Sequence, residues 1–364
     1  MSGIEVEEAR LRDLFWSLVE VYSPSGKEEA VLAYLEEFLS EQGCPYGVQP
    51  VDENRYNLLL GNPDAPLVFV GHVDTVDAWD LEDYGPAEAE EDWIVGLGTA
   101  DMKGGCAAIV EAYLGLRAEG LGRAVGVALV VGEEEDGDGA DAFLAEFRPG
   151  RALVAEPTDL VLCVGHYGYL EVQIAATGRR AHASVPQRGQ NAAERLLAGL
   201  SALTRAPLFS GAGGEGPVLN IRHLETTNPG FAVPARAVAW VDVHVPPEIE
   251  LGSVREAVSA ALADADGLEV EFVTEDPGYR LREDDPLVEV YRRVGRGGVG
   301  AFRSHSDANR FHRSGVPAFV LGPGRLEFAH AEGERIRWGQ VVEAAALYRA
   351  LGRAYGAACG RTGV

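Results

Sequence analysis

Hydrophobic and polar positions in the first part of the chain follow two alternating patterns. Apolar residues that recur every three or four positions predict amphipathic helices over about 5–21, 27–39 and 103–116. Short apolar runs bounded by turn residues predict buried strands over 57–60, 67–70, 124–131 and 152–155. Helices that alternate with such strands are typical of an α/β domain with a largely buried sheet.

The pattern changes near Gly168 and changes back near Asp276. Between them the predicted order is strand, helix, two strands, helix and strand, over 169–177, 190–203, 217–223, 235–245, 253–263 and 268–273. This is the order of a ferredoxin-like module. The α/β pattern then resumes, with a strand predicted at 317–321 and a helix at 339–355. We therefore predict a larger domain of residues 1–167 and 277–364 that carries an inserted domain of residues 168–276.

The charge balance is strongly acidic, with 57 Asp and Glu against 31 Lys and Arg and a formal net charge of −26. Such a surface repels nucleic acid and anionic membranes, so we expect neither as a partner. It also fits a protein that works at high salt, where screening relieves self-repulsion.

Three further features bear on the location of the protein. No apolar stretch approaches the roughly 20 residues of a membrane helix. The acidic first residues are unlike a secretory signal. The four cysteines contain no CxxC pair, which argues against a disulfide framework or a thiolate metal site. We predict a cytoplasmic protein with reduced thiols.

Residues with catalytic potential lie at the ends of the predicted strands. In Gly71-His72-Val73-Asp74, the side chains of His72 and Asp74 share one side of the chain, because alternate strand residues point the same way. A carboxylate beside a metal-bound imidazole fixes its tautomer and raises its basicity. A hydrogen bond with a purely structural role would also account for this pair.

A single acid, Asp101, lies among glycines in Gly96-Leu97-Gly98-Thr99-Ala100-Asp101-Met102-Lys103-Gly104-Gly105. Glycine lets the backbone approach closely enough for one carboxylate to bridge two cations. A loop of this kind could instead hold phosphate, but the spacing of the known phosphate-binding motifs is missing.

Further acids and a second histidine follow other predicted strands. They are Glu133, Glu134 and Glu135 after one strand, Glu156 after another, and His330 in a loop after a third. Solvated loops could also carry these residues. However, side chains at the carboxyl ends of strands in an open α/β sheet converge on one crevice. Mixed nitrogen and oxygen ligands without a thiolate suit zinc, manganese or cobalt.

Six motifs occur in order along the chain. They are Gly71-His72-Val73-Asp74-Thr75-Val76, Gly98-Thr99-Ala100-Asp101-Met102-Lys103-Gly104-Gly105, Gly132-Glu133-Glu134, Glu156-Pro157-Thr158, Ala181-His182-Ala183-Ser184-Val185-Pro186 with Gly189-Gln190-Asn191-Ala192, and Gly322-Pro323-Gly324 with Ala329-His330. Together they resemble the dinuclear metallopeptidase and deacylase family that includes acetylornithine deacetylase, succinyl-diaminopimelate desuccinylase, carboxypeptidase G and aminoacylase. The resemblance covers nearly the whole chain.

The resemblance implies a fold and a metal site. The expected fold is an α/β, zinc-peptidase-like catalytic domain with a mixed sheet flanked by helices, plus an inserted ferredoxin-like α+β domain for dimerisation and lid closure. The expected cofactors are two divalent metal ions, zinc first, with cobalt or manganese as alternatives. One ion would be held by His72, Asp101 and Glu156, and the other by Asp101, Glu134 and His330.

The resemblance also implies catalytic roles. Asp74 would orient His72, Glu133 would be the general base, and His182 from the partner subunit of a homodimer would stabilise the oxyanion. The run of acids permits a second register, with Glu134 as base and Glu135 as ligand. The spacing around Gly132 favours the first register, which we adopt.

The substrate is predicted from weaker signals. Residues 23–29 and 131–134 are more similar to deacylases of arginine and lysine biosynthesis than to desuccinylases. We predict hydrolysis of the amide bond of a small N-acyl amino acid, acetylornithine first, with acetyl-lysine, acyl-citrulline or carrier-linked lysine as related choices. Asn228, Arg280 and Arg303 are the candidate substrate-binding residues. A peptidase of the same family that acts on short peptides is the alternative, and a non-catalytic binding protein is disfavoured by the intact ligand set.

Overall fold

The structure, a computed structural model, describes residues 6–78, 84–209, 216–226, 230–295 and 298–359. The chain divides into two compact units. The first consists of Met1–Val164, Leu281–Phe302 and Ser306–Val364, and the second of Gly165–Arg280 and Arg303–His305. Asn228, one of the predicted substrate contacts, lies outside the described residues.

The helices and strands alternate along most of the chain. The helices are α1 (Glu8–Glu20), α2 (Glu29–Glu41), α3 (Gly104–Ala118), α4 (Asp138–Glu146), α5 (Ala192–Thr204), α6 (Leu251–Leu262), α7 (Pro286–Val294), α8 (Asp307–Arg313) and α9 (Trp338–Cys359). The strands are β1 (Tyr46–Pro50), β2 (Tyr56–Gly61), β3 (Val68–His72), β4 (Ala87–Glu88), β5 (Trp93–Val95), β6 (Gly126–Val130), β7 (Ala152–Val154), β8 (Leu162–His166), β9 (Gly168–Thr177), β10 (Val218–Thr226), β11 (Arg236–Val245), β12 (Leu268–Asp276), β13 (Tyr279–Arg280), β14 (Val299–Phe302), β15 (Ala318–Val320) and β16 (Arg335–Arg337).

The main sheet of the first unit has the order β1-β2-β6-β3-β7-β15-β8, and β14 also pairs with β8. Strands β6, β3, β7 and β15 are mutually parallel, whereas β1, β2 and β8 join by antiparallel pairing. Every residue of β3, β6 and β7 is buried, so both faces of this sheet are covered. Helices α1 and α9 pack against α3, and α4 packs against α8. The predicted mixed α/β fold is confirmed.

The second unit contains a four-stranded antiparallel sheet in the order β10-β11-β9-β12. Its elements follow the chain as strand, helix, two strands, helix and strand, which is the predicted order. Burial alternates along β9, and α5 packs against both β9 and β11. The core of this unit includes Leu170, Ile174, Leu196, Val241 and Val258.

No helix in the described part of the chain is both long and apolar enough to cross a lipid bilayer.

Candidate metal centre

Three neighbouring parallel strands deliver polar side chains to one edge of the main sheet. β3 ends at His72, β6 runs into the turn that holds Glu133 and Glu134, and β7 is followed by Glu156. Because β6, β3 and β7 are adjacent and parallel, their carboxyl ends lie together. Strand order therefore brings together residues that are far apart along the chain.

Close backbone approach brings Asp101 to the same edge. Asp101 lies in a turn that leads into α3, and Gly98 in that turn has a φ of 76°, a conformation that suits glycine. Gly105, in the first turn of α3, packs so tightly that a Cβ atom there would lie 2.4 Å from the carbonyl oxygen of Ala155. The start of α3 thus lies against the residue that precedes Glu156.

Distances among the side chains show that the five predicted ligands converge. Nε2 of His72 lies 3.2 Å from Oδ1 of Asp101 and 3.7 Å from Oε1 of Glu156. Nε2 of His330 lies 2.9 Å from Oε1 of Glu134 and 3.4 Å from Oδ2 of Asp101. The two oxygens of Asp101 therefore approach different histidines, as a bridging carboxylate would.

Among the residues that the structure describes, two groups of side chains have possible ligand atoms within 4.8 Å of one another: His72 with Glu133 and Glu156, and His72 with Asp101 and Glu134. These groups differ from the predicted ligand sets. The first contains Glu133, whose Oε2 lies 3.9 Å from Nε2 of His72, and the second combines His72 with Glu134 and lacks His330. Glu135, the ligand in the alternative register, is exposed. Oε1 of Glu156 is buried without a hydrogen-bond partner, which is the state expected of an atom that binds a cation.

Burial controls the ionisation of the acids. It raises the pKa of Glu133, Glu134 and Glu156, and neighbouring carboxylates add to the shift. Burial would also raise the pKa of Asp101, but the hydrogen bond with His72 and the charges of both histidines lower it to about 2. Four largely buried carboxylates thus lie close together beside the buried His72, whereas His330 is 49% exposed. Divalent cations would neutralise the excess negative charge.

Asp74 supports the cluster in two ways. Nδ1 of His72 lies 3.0 Å from the backbone oxygen of Asp74 and 3.6 Å from its Oδ1, so the nearer contact is with the backbone. The carboxylate accepts hydrogen bonds from the hydroxyl of Ser25 at 2.7 Å and from the N–H groups of Glu134 at 3.0 Å and Glu133 at 3.3 Å. Asp74 therefore also holds the turn that carries Glu133 and Glu134.

Four residues near the cluster were not predicted, namely Ser25, Lys103, Asp307 and Glu334. Lys103 is 1% exposed and donates to the backbone oxygen of Val21 at 2.7 Å, and burial lowers its pKa to about 7. Asp307 is 2% exposed, its Oδ1 has no hydrogen-bond partner, and burial raises its pKa to about 7. Lys103 has a sequence signal, since it is one of two lysines and follows Asp101 closely. Ser25 lies within residues 23–29, which are similar to deacylases of arginine and lysine biosynthesis, whereas Asp307 and Glu334 have no sequence signal.

The remaining predicted site residues belong to the second unit. His182 is exposed, and its Nδ1 contacts the Ser184 hydroxyl at 2.9 Å. Arg280 donates from Nε to Glu248 at 2.9 Å, and the guanidinium of Arg303 lies 6.0 Å from the centre of the Tyr167 ring. Their predicted roles stay predictions.

The buried cluster has the nitrogen and oxygen donors of a metal-dependent hydrolase. Comparisons with known proteins agree with that class. The profile of Peptidase family M20/M25/M40 matches residues 68–354. A probable carboxypeptidase of Aspergillus terreus is 31% identical over 369 residues, spanning 92% of this chain and 84% of its own. An acetylornithine deacetylase of Aliivibrio fischeri is 27% identical over 351 residues, spanning 89% of this chain and 92% of its own.

Solved structures share the fold. A tripeptidase from Staphylococcus aureus superposes with a TM-score of 0.79 at 20% identity, covering 97% of this chain and 99% of its own. An M20 family metallo-carboxypeptidase from Sulfolobus solfataricus superposes with a TM-score of 0.74 at 17% identity, covering 96% and 99%. The chain belongs to Peptidase family M20/M25/M40. It is a hydrolase of amide bonds, and the resemblance inferred from the six motifs is confirmed.

Proposed function

We propose that the chain removes the acyl group from the nitrogen of a small N-acyl amino acid, with acetylornithine as the first substrate to test and a role in arginine or lysine biosynthesis. The observation that carries this proposal is the convergence of His72, Asp101, Glu134, Glu156 and His330 at one edge of the main sheet. The acetylornithine deacetylases among the relatives support the choice of substrate.

The cofactor in this proposal is a pair of divalent ions, zinc first and cobalt or manganese as alternatives. His72, Asp101 and Glu156 would hold one ion, and Asp101, Glu134 and His330 the other. The donor set fits, since it combines imidazoles with carboxylates, and since Oε1 of Glu156 is buried without a hydrogen-bond partner. When bound, such ions polarise the amide carbonyl and make water more acidic.

The chain itself would supply the proton transfers. Burial raises the pKa of Glu133, which suits a carboxylate that must hold a proton for part of the reaction. Glu133 would accept the proton of the attacking water at its carboxylate and deliver it to the nitrogen of the leaving amine. His182 of the partner subunit would donate a hydrogen bond to the oxyanion. The exposed position of Glu135 supports the register in which Glu133 is the base.

A second candidate function is that of a carboxypeptidase. The relative from Aspergillus terreus, which is 31% identical, is named a probable carboxypeptidase. The two activities share their chemistry, because a carboxypeptidase and an N-acyl amino acid deacylase both release an amino acid that has a free carboxylate. They differ in whether the acyl group is small or is itself an amino acid or peptide.

Measurement of kcat/KM for three substrates by the zinc-loaded protein separates these functions. We expect N-acetylornithine to be cleaved at least about tenfold better than alanyl-ornithine, and much better than N-acetylornithine amide, which lacks the carboxylate. A preference for alanyl-ornithine would favour the peptidase. If the loaded protein cleaves none of them or any other N-acyl amino acid or dipeptide, the proposed function is wrong.

A homodimer formed through the inserted domain, which would act as a lid, is part of the proposal. Among the described strands, β10 pairs only with β11, so its other edge is open. Val218, Ile221 and Leu224 on this strand are 48%, 38% and 48% exposed. Apolar residues on an open edge favour pairing with a second chain.

A cytoplasmic location also belongs to the proposal, and the free, buried thiols of Cys44, Cys106 and Cys163 suit a reducing compartment.

A further inference from the structure

A buried carboxylate outside the predicted ligand set contacts the turn that carries Asp101. Glu334 is 3% exposed. Its Oε1 accepts hydrogen bonds from the N–H groups of Ala100 at 2.8 Å and Asp101 at 3.0 Å, and its Oε2 accepts one from Gly98 at 3.0 Å. The backbone of the Asp101 turn is therefore held at three points by one side chain.

The main chain of Glu334 is fixed as well. Its N–H donates to the carbonyl oxygen of Ala331 at 3.1 Å, which closes a turn directly after His330. Its carbonyl oxygen accepts from the N–H of Gly96 at 2.9 Å, just before the Asp101 turn. The next residues form β16, which pairs with β5. Glu334 thus joins the loop of one histidine to a turn that lies 233 positions earlier.

A stable fold alone does not account for this acid. Burying a carboxylate is costly, and three backbone donors could be satisfied more cheaply by a neutral acceptor. The hydrogen bonds of Glu334 instead affect where the side chain of Asp101 points. With its N–H held, Asp101 directs one oxygen to within 3.2 Å of His72 and the other to within 3.4 Å of His330.

We infer that Glu334 is a positioning residue that sets Asp101 and His330 in the geometry needed to bind both metal ions, an inference that rests on the proposed function. It acts through the backbone, because its carboxylate accepts hydrogen bonds from the main-chain N–H groups of Gly98, Ala100 and Asp101. Mutation of a residue that supports metal ligands through hydrogen bonds typically lowers metal affinity by about 10- to 100-fold. The turn should also be ordered before any metal arrives, because its bonds to Glu334 need no cation.

Zinc titration of the metal-free protein against a competing chromophoric chelator tests this inference. Glu334→Gln keeps the size of the side chain but removes one acceptor and the charge. We expect it to weaken binding of at least one ion by about 10- to 100-fold and to alter the absorption spectrum of the cobalt form. The matched control is Glu111→Gln, since Glu111 is also 3% exposed and accepts from the N–H of Glu7 at 3.0 Å and from Arg10 at 2.8 Å.

The outcomes separate this inference from the proposed function. If the wild-type protein does not bind two ions, both the proposed function and the inference are wrong. Two ions bound by wild type and equally well by Glu334→Gln would overturn only the inference. Equal weakening by Glu111→Gln would overturn it too, since the effect would then be one of general stability.

A measurement on the wild type covers the case in which Glu334→Gln does not fold. Amide hydrogen exchange of the metal-free protein should show protected N–H groups at Gly98, Ala100 and Asp101, because Glu334 already holds them. Rapid exchange of these amides that becomes slow only after zinc is added would show that the metal orders the turn, and would contradict the inference.

Discussion

The sheets of the two units differ in how many of their faces are buried. Every residue of β3 and β6 in the first unit is buried. Along β9 in the second unit buried residues alternate with partly exposed ones, and along β12 up to Glu275 partly exposed residues alternate with exposed ones. Because successive side chains of a strand point to opposite faces, the first sheet is covered on both faces and the second is open on one. In this doubly covered sheet the proposed ligands His72, Glu134 and Glu156 lie at or just beyond the strand ends.

The two units also differ in where their charges lie. Acids of the first unit are buried in the cluster, where Glu156 has an unpartnered oxygen and a raised pKa. In the second unit, the pair of Arg255 with Glu275 at 2.8 Å is 47% and 34% exposed, and exposed pairs contribute little to stability. The same unit also contains a buried acid, Asp276, which lies 3.0 Å from Nε2 of His305. Buried, perturbed acids are costly for a fold and are concentrated at functional sites. The buried cluster of carboxylates in the first unit is therefore the candidate functional site.

The largest expected effect concerns the acid proposed as base. Glu133→Gln should lower kcat by about 10²- to 10⁴-fold, since an amide cannot accept the proton of the attacking water. Its metal content, measured by mass spectrometry, should stay near that of the wild type. Glu135→Gln is the matched control, because Glu135 is the exposed neighbour of the same run and should keep full activity. Retained activity in Glu133→Gln would move the role of base to Glu134.

The second prediction tests the difference in burial between the two sheets. Leu58 and Leu59 are adjacent on β2, point to opposite faces and are 0% and 9% exposed. Replacing either with Ala should cost about 2–5 kcal/mol of unfolding free energy. On β9, Ile174→Ala should cost a similar amount, since Ile174 is 0% exposed. Gln173→Ala, on the partly exposed face, should change stability by no more than about 0.5 kcal/mol.

Denaturant unfolding followed by circular dichroism gives these four values. The pattern matters more than any single value: two large effects on adjacent residues of β2, and one large and one small effect on β9. A small effect at Leu59 would mean that the outer face of β2 is not part of the core. A large effect at Gln173 would mean that the second sheet is covered on its open face, for example by another chain.

Much of the fold could be predicted from the sequence, because periodicity reports long elements well. The helix predicted at 339–355 is α9, and the strand predicted at 235–245 is β11. Short or atypical elements were missed. α8 has only seven residues and is rich in polar ones, and β1 is partly exposed and ends at Pro50. Such segments depend on their neighbours, and a periodic pattern does not reveal them.

The candidate site also contains some residues that the sequence indicates and others that it does not. The residues that the structure brings together, such as His72, Asp101 and Glu156, occur in motifs with local spacing, so the sequence indicates them. Glu334 and Ser25 act through contacts that reach 236 and 49 positions along the chain. No local pattern encodes such a contact, because it depends on how separate loops meet in the fold. The structure therefore identifies supporting residues that the sequence motifs do not indicate.

The smallest expected effect concerns the two edges of the second sheet. β10 and β12 are both edge strands. β12 carries Glu269, Glu271 and Glu275 with one exposed large apolar residue, Val273, whereas β10 exposes Val218, Ile221 and Leu224 beside Arg222 and Glu225. Charged edges resist pairing with another chain and apolar edges favour it, so the proposed dimer should form through β10.

Ile221→Glu should therefore raise the dissociation constant of the dimer by at least about tenfold, which corresponds to roughly 1.4 kcal/mol, while the unfolding transition of the monomer stays unchanged. Val273→Glu, on β12, is the matched control, because Val273 is 46% exposed and its edge is already acidic. Sedimentation velocity over a range of concentrations measures both. Equal effects of the two variants, or a wild type that is monomeric at every concentration, would contradict dimerisation through β10. Since His182 is proposed to act across the dimer, loss of activity on dilution of Ile221→Glu, restored at high concentration, would connect the open edge to the chemistry of the first unit.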